Sequence, residues 1–278
     1  MKRYLLLLAV VLTVFSVSAQ DLVVGSYNIR NSNSGDTKNG NGWERRCPVI
    51  CDQVEWVGFD VFGMQEVKHN QLEDMLNGLP DYDYEGVGRD DGKQAGEYSP
   101  IFYKKERFKY LEGGTFWISE TPEKVGVKGW DAALPRICSY VHLQDKVTKK
   151  RFWFFNLHMD HVGVEARREG AKLIAKKITE MCGKEPAFVT GDFNVVSTDK
   201  ALDGVRDFMR NARTYATVKD NNPTINGFGA SSSRKQIDHI YYSDYLKAVE
   251  YYTIMDAYNG VTYVSDHYPI YAIIKLKK

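Results

Sequence analysis

The chain is poor in the features that mark several functional classes. It has four cysteines in 278 residues, at positions 47, 51, 138 and 182. None of the spacings matches a zinc motif, and a chain of this length does not need disulfide staples. Cys47 and Cys51 stand four apart in a helical stretch, a poor geometry for a disulfide, so the plainest reading is small buried hydrophobes. Net charge is also lacking: 37 basic residues face 36 acidic ones. A dedicated duplex-nucleic-acid binder carries a strong basic excess, because phosphate contacts dominate its affinity. The balance lowers the expectation of a nuclease, although Lys146, Lys149, Lys150 and Arg151 form a local basic patch. There is no repeat, no low-complexity tract and no Pro/Gly/Ser-rich linker, which favours one large domain over residues 20–278.

Long apolar runs are confined to the start. Lys2 and Arg3 precede the apolar stretch Tyr4 to Phe15, and Val17-Ser18-Ala19 supplies small residues at a signal peptidase site. This pattern predicts a secretory signal peptide over residues 1–19, cleaved after Ala19, and a secreted or periplasmic protein. The run is short for a membrane span and no cysteine follows it. Neither a stable membrane association nor a lipid anchor is expected, and the mature protein is expected to be a monomer.

What the chain does have is a set of polar fragments placed directly after apolar, β-branched or aromatic runs. Asn156-Leu157-His158-Met159-Asp160-His161, Gly191-Asp192-Phe193-Asn194 and Ser265-Asp266-His267 carry oxygen ligands and imidazoles. Such runs read as buried strands, and a buried strand delivers its last side chain to one edge of a sheet. The group types favour metal-assisted hydrolysis. Carboxylate and amide oxygens suit Mg²⁺ or Mn²⁺, and histidine moves protons near neutral pH.

Strands are expected over residues 21–29, 60–66, 101–103, 138–143, 152–157, 187–190, 237–242, 249–254 and 270–276. Helices are expected over 46–57, with Pro48 in the first turn, over 71–79 and over 165–182. Residues 138–143 and 152–157 pair as a hairpin, and residues 112–135 form a long loop. Helices punctuate the strands without strict alternation. That pattern favours an α/β fold of two mixed β-sheets flanked by helices, a four-layer α/β/β/α sandwich.

Taken together, Ser26-Tyr27-Asn28, Gln65-Glu66, Gly96-Glu97, Arg136, Asn156-Leu157-His158, Gly191-Asp192-Phe193-Asn194, Ile237-Asp238 and Ser265-Asp266-His267 closely resemble the endonuclease/exonuclease/phosphatase, or DNase I-like, family. The resemblance covers residues 21–278 and implies the four-layer sandwich, a divalent metal and hydrolysis of a phosphate ester. The family spans nucleases, deadenylases, inositol-phosphate phosphatases and sphingomyelinases, so membership leaves the substrate open.

Glu66, a hard carboxylate at a strand end, is the best metal ligand. The resemblance adds Asn28, which either supplies an oxygen to the metal or holds Glu66, and Asp266. His267 is expected to be the general base, with Asp238 fixing its tautomer. Asp192 and Asn194, two apart, face one phosphate and its attacking water if the backbone stays extended. By resemblance His158 either contacts the scissile phosphate or assists proton transfer, with Glu97 orienting it. Arg136, whose fork suits phosphate oxygens, and the neighbouring His161 are assigned to substrate binding. Asp160 either binds substrate or caps the following helix. Arg167 and Arg168 open that helix and either meet anionic substrate or face solvent. Trp117 and Trp130 are placed in the long loop that could wall the site, although Trp117 reads first as a packed aromatic. The turn-rich segment Gly86 to Gly92 resembles secreted bacterial members of the family.

The sequence therefore predicts a Mg²⁺-dependent hydrolase, Mn²⁺ being an alternative ion, of a small or exposed phosphate ester. The alternatives are an extracellular non-specific nuclease and a catalytically silent binding module.

Overall fold

In the segment Arg151–His158, Phe152 and Phe154 join one buried cluster while Trp153, Phe155 and Leu157 join another. A strand apolar on both faces must lie between two layers. Here one face meets a second sheet and the other a helix, and the same logic repeats along the chain.

The structure is a computed structural model that describes residues 21–276; the expected signal peptide lies outside the described residues. In chain order the elements are β1 (Asp21–Asn28), α1 (Ser34–Lys38), α2 (Trp43–Val57), β2 (Val61–Gln65), α3 (His69–Gly78), β3 (Tyr82–Glu85), β4 (Ile101–Lys104), β5 (Phe108–Trp117), β6 (Ile137–Asp145), β7 (Arg151–His158), α4 (Val164–Cys182), β8 (Ala187–Asp192), α5 (Asp203–Arg206), β9 (Met209–Asn211), α6 (Ala212–Tyr215), β10 (Val218–Lys219), β11 (Asp238–Ser243), β12 (Leu246–Thr253) and β13 (Ile270–Leu276). Seven strands form one sheet in the order β10-β12-β13-β1-β2-β4-β3, and six form the other as β5-β6-β7-β8-β11-β9. Both sheets are mixed: β1 runs parallel to β2 and β7 parallel to β8, with antiparallel neighbours outside. Helices α2 and α3 cover the first sheet and α4 the second, giving the four-layer α/β/β/α sandwich. Among the described residues no helix is long and apolar enough to cross a membrane.

Two expectations change, and the reading of the cysteines as unpaired and largely buried holds. Helix α2 begins at Trp43, so Pro48 lies in its second turn. The earlier start was hidden because Gly42 at the N-cap makes no side-chain capping bond. Residues 112–117 are not loop but the second half of β5, with a bulge between Tyr110 and Glu112 and the pair Gly113-Gly114 breaking the alternation. All four cysteines are free thiols, three of them buried.

One amide registers the sheets against each other. Asn156 on β7 is fully buried. Its Nδ2 donates to the carbonyls of Met64 (2.7 Å) and Pro100 (3.0 Å), and its Oδ1 accepts from Gln65 Nε2 (2.7 Å) and Thr190 Oγ1 (3.0 Å). Gly63 makes the approach possible, since a Cβ there would sit 2.1 Å from Asn156 Oδ1. Replacing Asn156 by alanine strands buried donors and acceptors on both sheets. The expected loss is roughly 3 kcal/mol or more of unfolding free energy, read by urea denaturation at unchanged slope. A loss within the roughly 0.5 kcal/mol typical of surface changes would show that the bridge does not hold the sheets.

Candidate active site

The registered sheets bring six chain positions to one edge. β1 ends at Asn28, β2 leads into Glu66, β7 ends at His158 and β8 ends at Asp192, while β11 begins at Asp238 and His267 shortly precedes β13. Parallel pairing sets Asn28 beside Gln65 and His158 beside Asp192, and antiparallel pairing sets Asp238 beside Asp192. The result is a cleft of about 270 Å³ lined by residues of both sheets, among them Glu66, Glu97, Arg136, His158, His161, Asp192, Asn194 and His267.

His267 Nδ1 lies 2.8 Å from Asp238 Oδ2, and both residues are buried. Asp238 is held from behind, its N–H donating to Thr224 Oγ1. The other ring nitrogen, Nε2, points toward Asp192 Oδ2 at 3.8 Å. The same oxygen lies 3.6 Å from His158 Nε2 and accepts from Asn28 Nδ2 at 3.1 Å. Burial lowers the proton affinity of His267, but Asp238, Asp192 and Asp266 outweigh it and hold the ring well above its ordinary value. His158 is driven the other way, first by burial and then by Arg136 and Arg89, so it stays a neutral imidazole. Asp192 is raised by burial and by Asp238. Two imidazoles of opposite tendency thus flank one carboxylate, an arrangement suited to moving a proton to or from a water held between them.

Across the cleft stands a second set of oxygens. Glu66 has φ +63°, the left-handed region that costs a non-glycine residue about 1–2 kcal/mol. Its Oε1 accepts from Asn28 Nδ2 (3.1 Å) and its Oε2 from the N–H (3.2 Å) and Nδ2 (3.0 Å) of Asn31. Asn28 therefore bridges Glu66 and Asp192 through its NH₂ group, while its Oδ1 accepts from Arg30 N–H at 3.0 Å. Asp266 sits 3.5 Å from Arg30 Nη1. It is raised by burial, with the charge of Glu66 adding to the shift. Glu97 is likewise raised by burial, and Glu66 adds to that too. Carboxylates gathered around Glu66 on a fixed backbone make a donor set that fits a hard divalent cation. Glu66 and Asp266 would hold it.

Asp192, Asp238 and His267 also place ligand atoms within 4.8 Å of one another. Asp238 is already committed to His267 Nδ1, so that cluster is better read as proton-handling groups than as a metal cage.

Several expected roles are changed by the contacts. Glu97 does not orient His158. Its Oε2 pairs with Arg89 Nη1 at 2.6 Å and its Oε1 accepts from Asn31, while His158 Nδ1 has no protein partner among the described residues. The backbone does not stay extended past Asp192: Asn194 has φ +56° and donates its N–H to Asp192 Oδ1 at 2.9 Å, an Asx turn. Asn194 still lines the cleft, its Nδ2 donating to the Met159 carbonyl. Trp117 is a packed aromatic as expected, buried with its Nε1 donating to the Arg89 carbonyl at 2.7 Å, and Trp130 packs in the cluster beneath α4. Leu134 and Arg136 line the wall in their place. Arg168 pairs with Glu165 and Glu169 on an exposed face, and Arg167 donates to the Asp160 carbonyl.

Arg136 is buried, with Nε on Asp160 Oδ2 (3.2 Å), Nη2 3.0 Å from His161 Nδ1, and Nη1 without a protein partner among the described residues. Asp160 takes the N–H groups of Ala133, Leu134, Val162 and Gly163, so it ties the wall to the entry of α4. The first turn of α4 is instead served by Asp131, which accepts from Glu165 and Ala166. The sequence reading missed Arg30, Asn31 and Arg89 as parts of the site. Asn31 was signalled only by its place just past a strand that ends in Asn28, and Arg89 by the turn-rich segment already noted.

Comparison with known proteins agrees with this fold. Residues 25–267 match the family model described as Endonuclease/Exonuclease/phosphatase family. A mannosyl-6-phosphatase of Bacteroides thetaiotaomicron VPI-5482 is 43% identical, covering 91% of this chain and 99% of that one, with a TM-score of 0.86. An endonuclease/exonuclease/phosphatase family protein of Bacteroides thetaiotaomicron is 43% identical over 93% and 98% of the two chains, with a TM-score of 0.88. The catalytic domain of human Nocturnin shares the fold at 18% identity and a TM-score of 0.72, covering 94% of this chain and 95% of that one.

Asp160 gives a test of the wall. Burial raises its carboxyl, but the backbone N–H groups and Arg136 more than offset this and hold it below the usual carboxylate range. A depressed folded pKa contributes stability that is present above the unfolded value near 3.9 and lost as pH falls through the folded value. Asp160→Asn is expected to cost about 2–4 kcal/mol at pH 7, with the gap to wild type shrinking below about pH 4. A gap independent of pH, in denaturation run from pH 7 to pH 2.5, would assign the effect to lost packing.

Proposed function

The chain belongs to the endonuclease/exonuclease/phosphatase family, and on that premise we propose that it is a divalent-metal-dependent hydrolase of small phosphate esters. The observation that carries the reading is the buried His267–Asp238 pair, at 2.8 Å, in one cleft with the Glu66 carboxylate, while Asp266 next to His267 lies within charge range of Glu66. A silent binding module has no use for a buried imidazole–carboxylate pair aimed at a second carboxylate.

In this reading a bound Mg²⁺ or Mn²⁺ supplies positive charge to the phosphate and the departing alkoxide. The chain's own groups do the rest. Asp192 orients a water between the two imidazoles. In its unprotonated form His267 takes a proton from that water at Nε2 as the water oxygen attacks phosphorus, and Asp238 stabilises the imidazolium that forms. His158, kept neutral, donates a hydrogen bond to a phosphoryl oxygen. The free Nη1 of Arg136 and the side-chain amide of Asn194 serve the same oxygens. Donors aimed in advance at developing charge are the largest usual source of rate enhancement.

The preference for a small ester over duplex DNA rests on the surroundings of the cleft. The basic patch at Lys146, Lys149, Lys150 and Arg151 lies at the β6–β7 turn, while His158 is at the other end of β7. Seven residue steps of strand put about 23 Å between them, so the patch does not border the cleft. Leu134, Arg136 and His161 close one side of it. The 43% identical mannosyl-6-phosphatase makes a sugar phosphate the first substrate to try.

Four measurements decide this reading. Glu66→Gln is expected to lower kcat/KM by about 10²–10³, and excess EDTA to abolish turnover of the wild type; full activity in EDTA would refute metal dependence. His267→Ala is expected to reduce kcat far more than it raises KM, with circular dichroism unchanged. Alongside these, plasmid nicking is compared with hydrolysis of nucleotides and sugar phosphates at matched metal and salt. Efficient nicking without turnover of the small esters would replace this reading with that of a nuclease.

A further inference from the structure

Beside the catalytic cleft lies a second depression of about 190 Å³, between the segment 223–234 and the segment that leads into Ser265. Ile225 lines both spaces and is paired across a β-bridge with His267, so the depression opens next to the general base. Nothing in the chemistry assigned above uses it.

Its lining is polar and preset. Asn226 is 4% exposed. The Asn226 backbone N–H donates to the Asp266 carbonyl and its Oδ1 accepts from Phe228 N–H, but its Nδ2 has no protein partner among the described residues. A buried amide NH₂ left unpaired in a protein wall is a costly feature to keep unless something outside the wall accepts from it. Ser231 accepts the N–H of Ser233 on its Oγ, which leaves its own hydroxyl proton free to donate outward. Opposite these donors stand Tyr263 and Tyr268, with ring centroids 6.4 Å apart and planes tilted by 43°. Tyrosine offers an apolar face with a polar rim, the surface that meets the C–H face and hydroxyls of a sugar ring.

The depression is also held in shape. Gly229 has φ +86° and its missing Cβ would lie 2.6 Å from the Tyr263 ring, so the loop backbone rests against that ring and fixes it. Phe228 in the same loop lies 5.7 Å from the guanidinium of Arg46, which is itself buried and bonded to the Ile29 and Val264 carbonyls. The loop that shapes the depression is thereby pinned to the turns that carry Asn28 and His267.

We infer that this depression seats the hydroxyl-rich alcohol part of the substrate, a single sugar or polyol ring whose phosphate lies in the catalytic cleft. The volume is below the roughly 300–1,000 Å³ of pockets for drug-sized ligands, which favours one ring over an oligomer. Asn226 Nδ2 and the Ser231 hydroxyl donate to ring hydroxyls, and Tyr263 lies against the ring face. The inference rests on the phosphoester-hydrolase reading for its catalytic consequence, but the subsite is open to a test that needs no turnover.

Asn226→Asp keeps the acceptor for Phe228 N–H and replaces the free donor by an acceptor; Tyr263→Leu removes the aromatic face. Each is compared with wild type on mannose 6-phosphate and on p-nitrophenyl phosphate, an ester with no hydroxyl-bearing ring. The ratio of kcat/KM for the two esters is expected to fall about tenfold in each variant, mainly through the KM for the sugar phosphate. A ratio within about twofold of wild type in both variants would overturn the assignment. Saturation-transfer NMR with methyl α-mannoside reads the same subsite without hydrolysis. Transfer in wild type that is lost in Asn226→Asp supports the subsite even if neither ester is turned over, in which case the hydrolase reading fails alone. No transfer in wild type, or equal transfer in the variant, rejects the subsite whatever the hydrolase does.

Discussion

The whole site depends on one saturated amide between two sheets. A side chain from β7 can serve the same edge as a side chain from β2 only if the sheets cannot slide. Asn156 prevents that by making four hydrogen bonds, to Met64, Gln65, Pro100 and Thr190, in a region with no exposure to water. Apolar packing between sheets is non-directional and tolerates small shifts. A buried amide does not, because every slip leaves a donor or acceptor unpaired. The bond to Gln65 is one residue from Glu66, and Asn156 itself is two residues from His158. The element that fixes the register also sets the distance between the Glu66 carboxylate and the His158 imidazole.

That geometry concentrates negative charge. Glu66, Glu97, Asp192, Asp238 and Asp266 crowd one strand edge, and burial raises three of them, Glu97, Asp192 and Asp266. The arginines around them are not free solvated charges. Arg30 bridges Asp36 and Asp266, Arg89 binds Glu97, and Arg136 binds Asp160. Three members of the site, Arg30, Glu66 and Asn194, also sit in the left-handed backbone region. Such strain persists only where the surroundings over-determine the conformation. Here they do: Glu66 is gripped by Asn28 and Asn31, and Asn194 by Asp192 and Met159. A cation placed between Glu66 and Asp266 would relieve the repulsion the fold maintains without it.

Strand-end chemistry was legible in the sequence because strand ends are. Buried runs such as Phe152 to Leu157 announce themselves by composition, and whatever polar residue follows has to emerge at an edge. The family resemblance then turned eight short fragments into one four-layer architecture, which the sheet order bears out. What stayed hidden lies in loops, where no period constrains direction. The pairing of Glu97 with Arg89 depends on a tight turn in which Gly88 and Asp90 bond back to Lys93 and Ala95. The Asx turn at Asn194 reverses the direction that an extended chain would give. β5 escaped because Gly113 and Gly114 interrupt its pattern where bulky side chains from Glu85, Tyr110 and Tyr140 need the room.

The division between strand ends and loops also separates the two tasks of the site. Attack on phosphorus tolerates little positional error, and the groups assigned to it stand on or beside strands whose register is fixed by the inter-sheet bridge. Selection of the alcohol does not need that precision, and the residues that bound the cleft on its open sides come from segments 86–97, 118–136 and 223–234, almost entirely without helix or strand. These segments are nevertheless stiff: Trp117 anchors the first, Asp160 and Asp131 the second, and Arg46 with Tyr263 the third. Apart from Tyr263, which also lines the neighbouring depression, each anchor uses a side chain given no part in the reaction. Loop sequence can therefore change without moving the strand ends, provided the anchors stay. For this chain, substrate identity is to be sought in what those three segments present to the cleft, and reaction type in the strand edge beneath them.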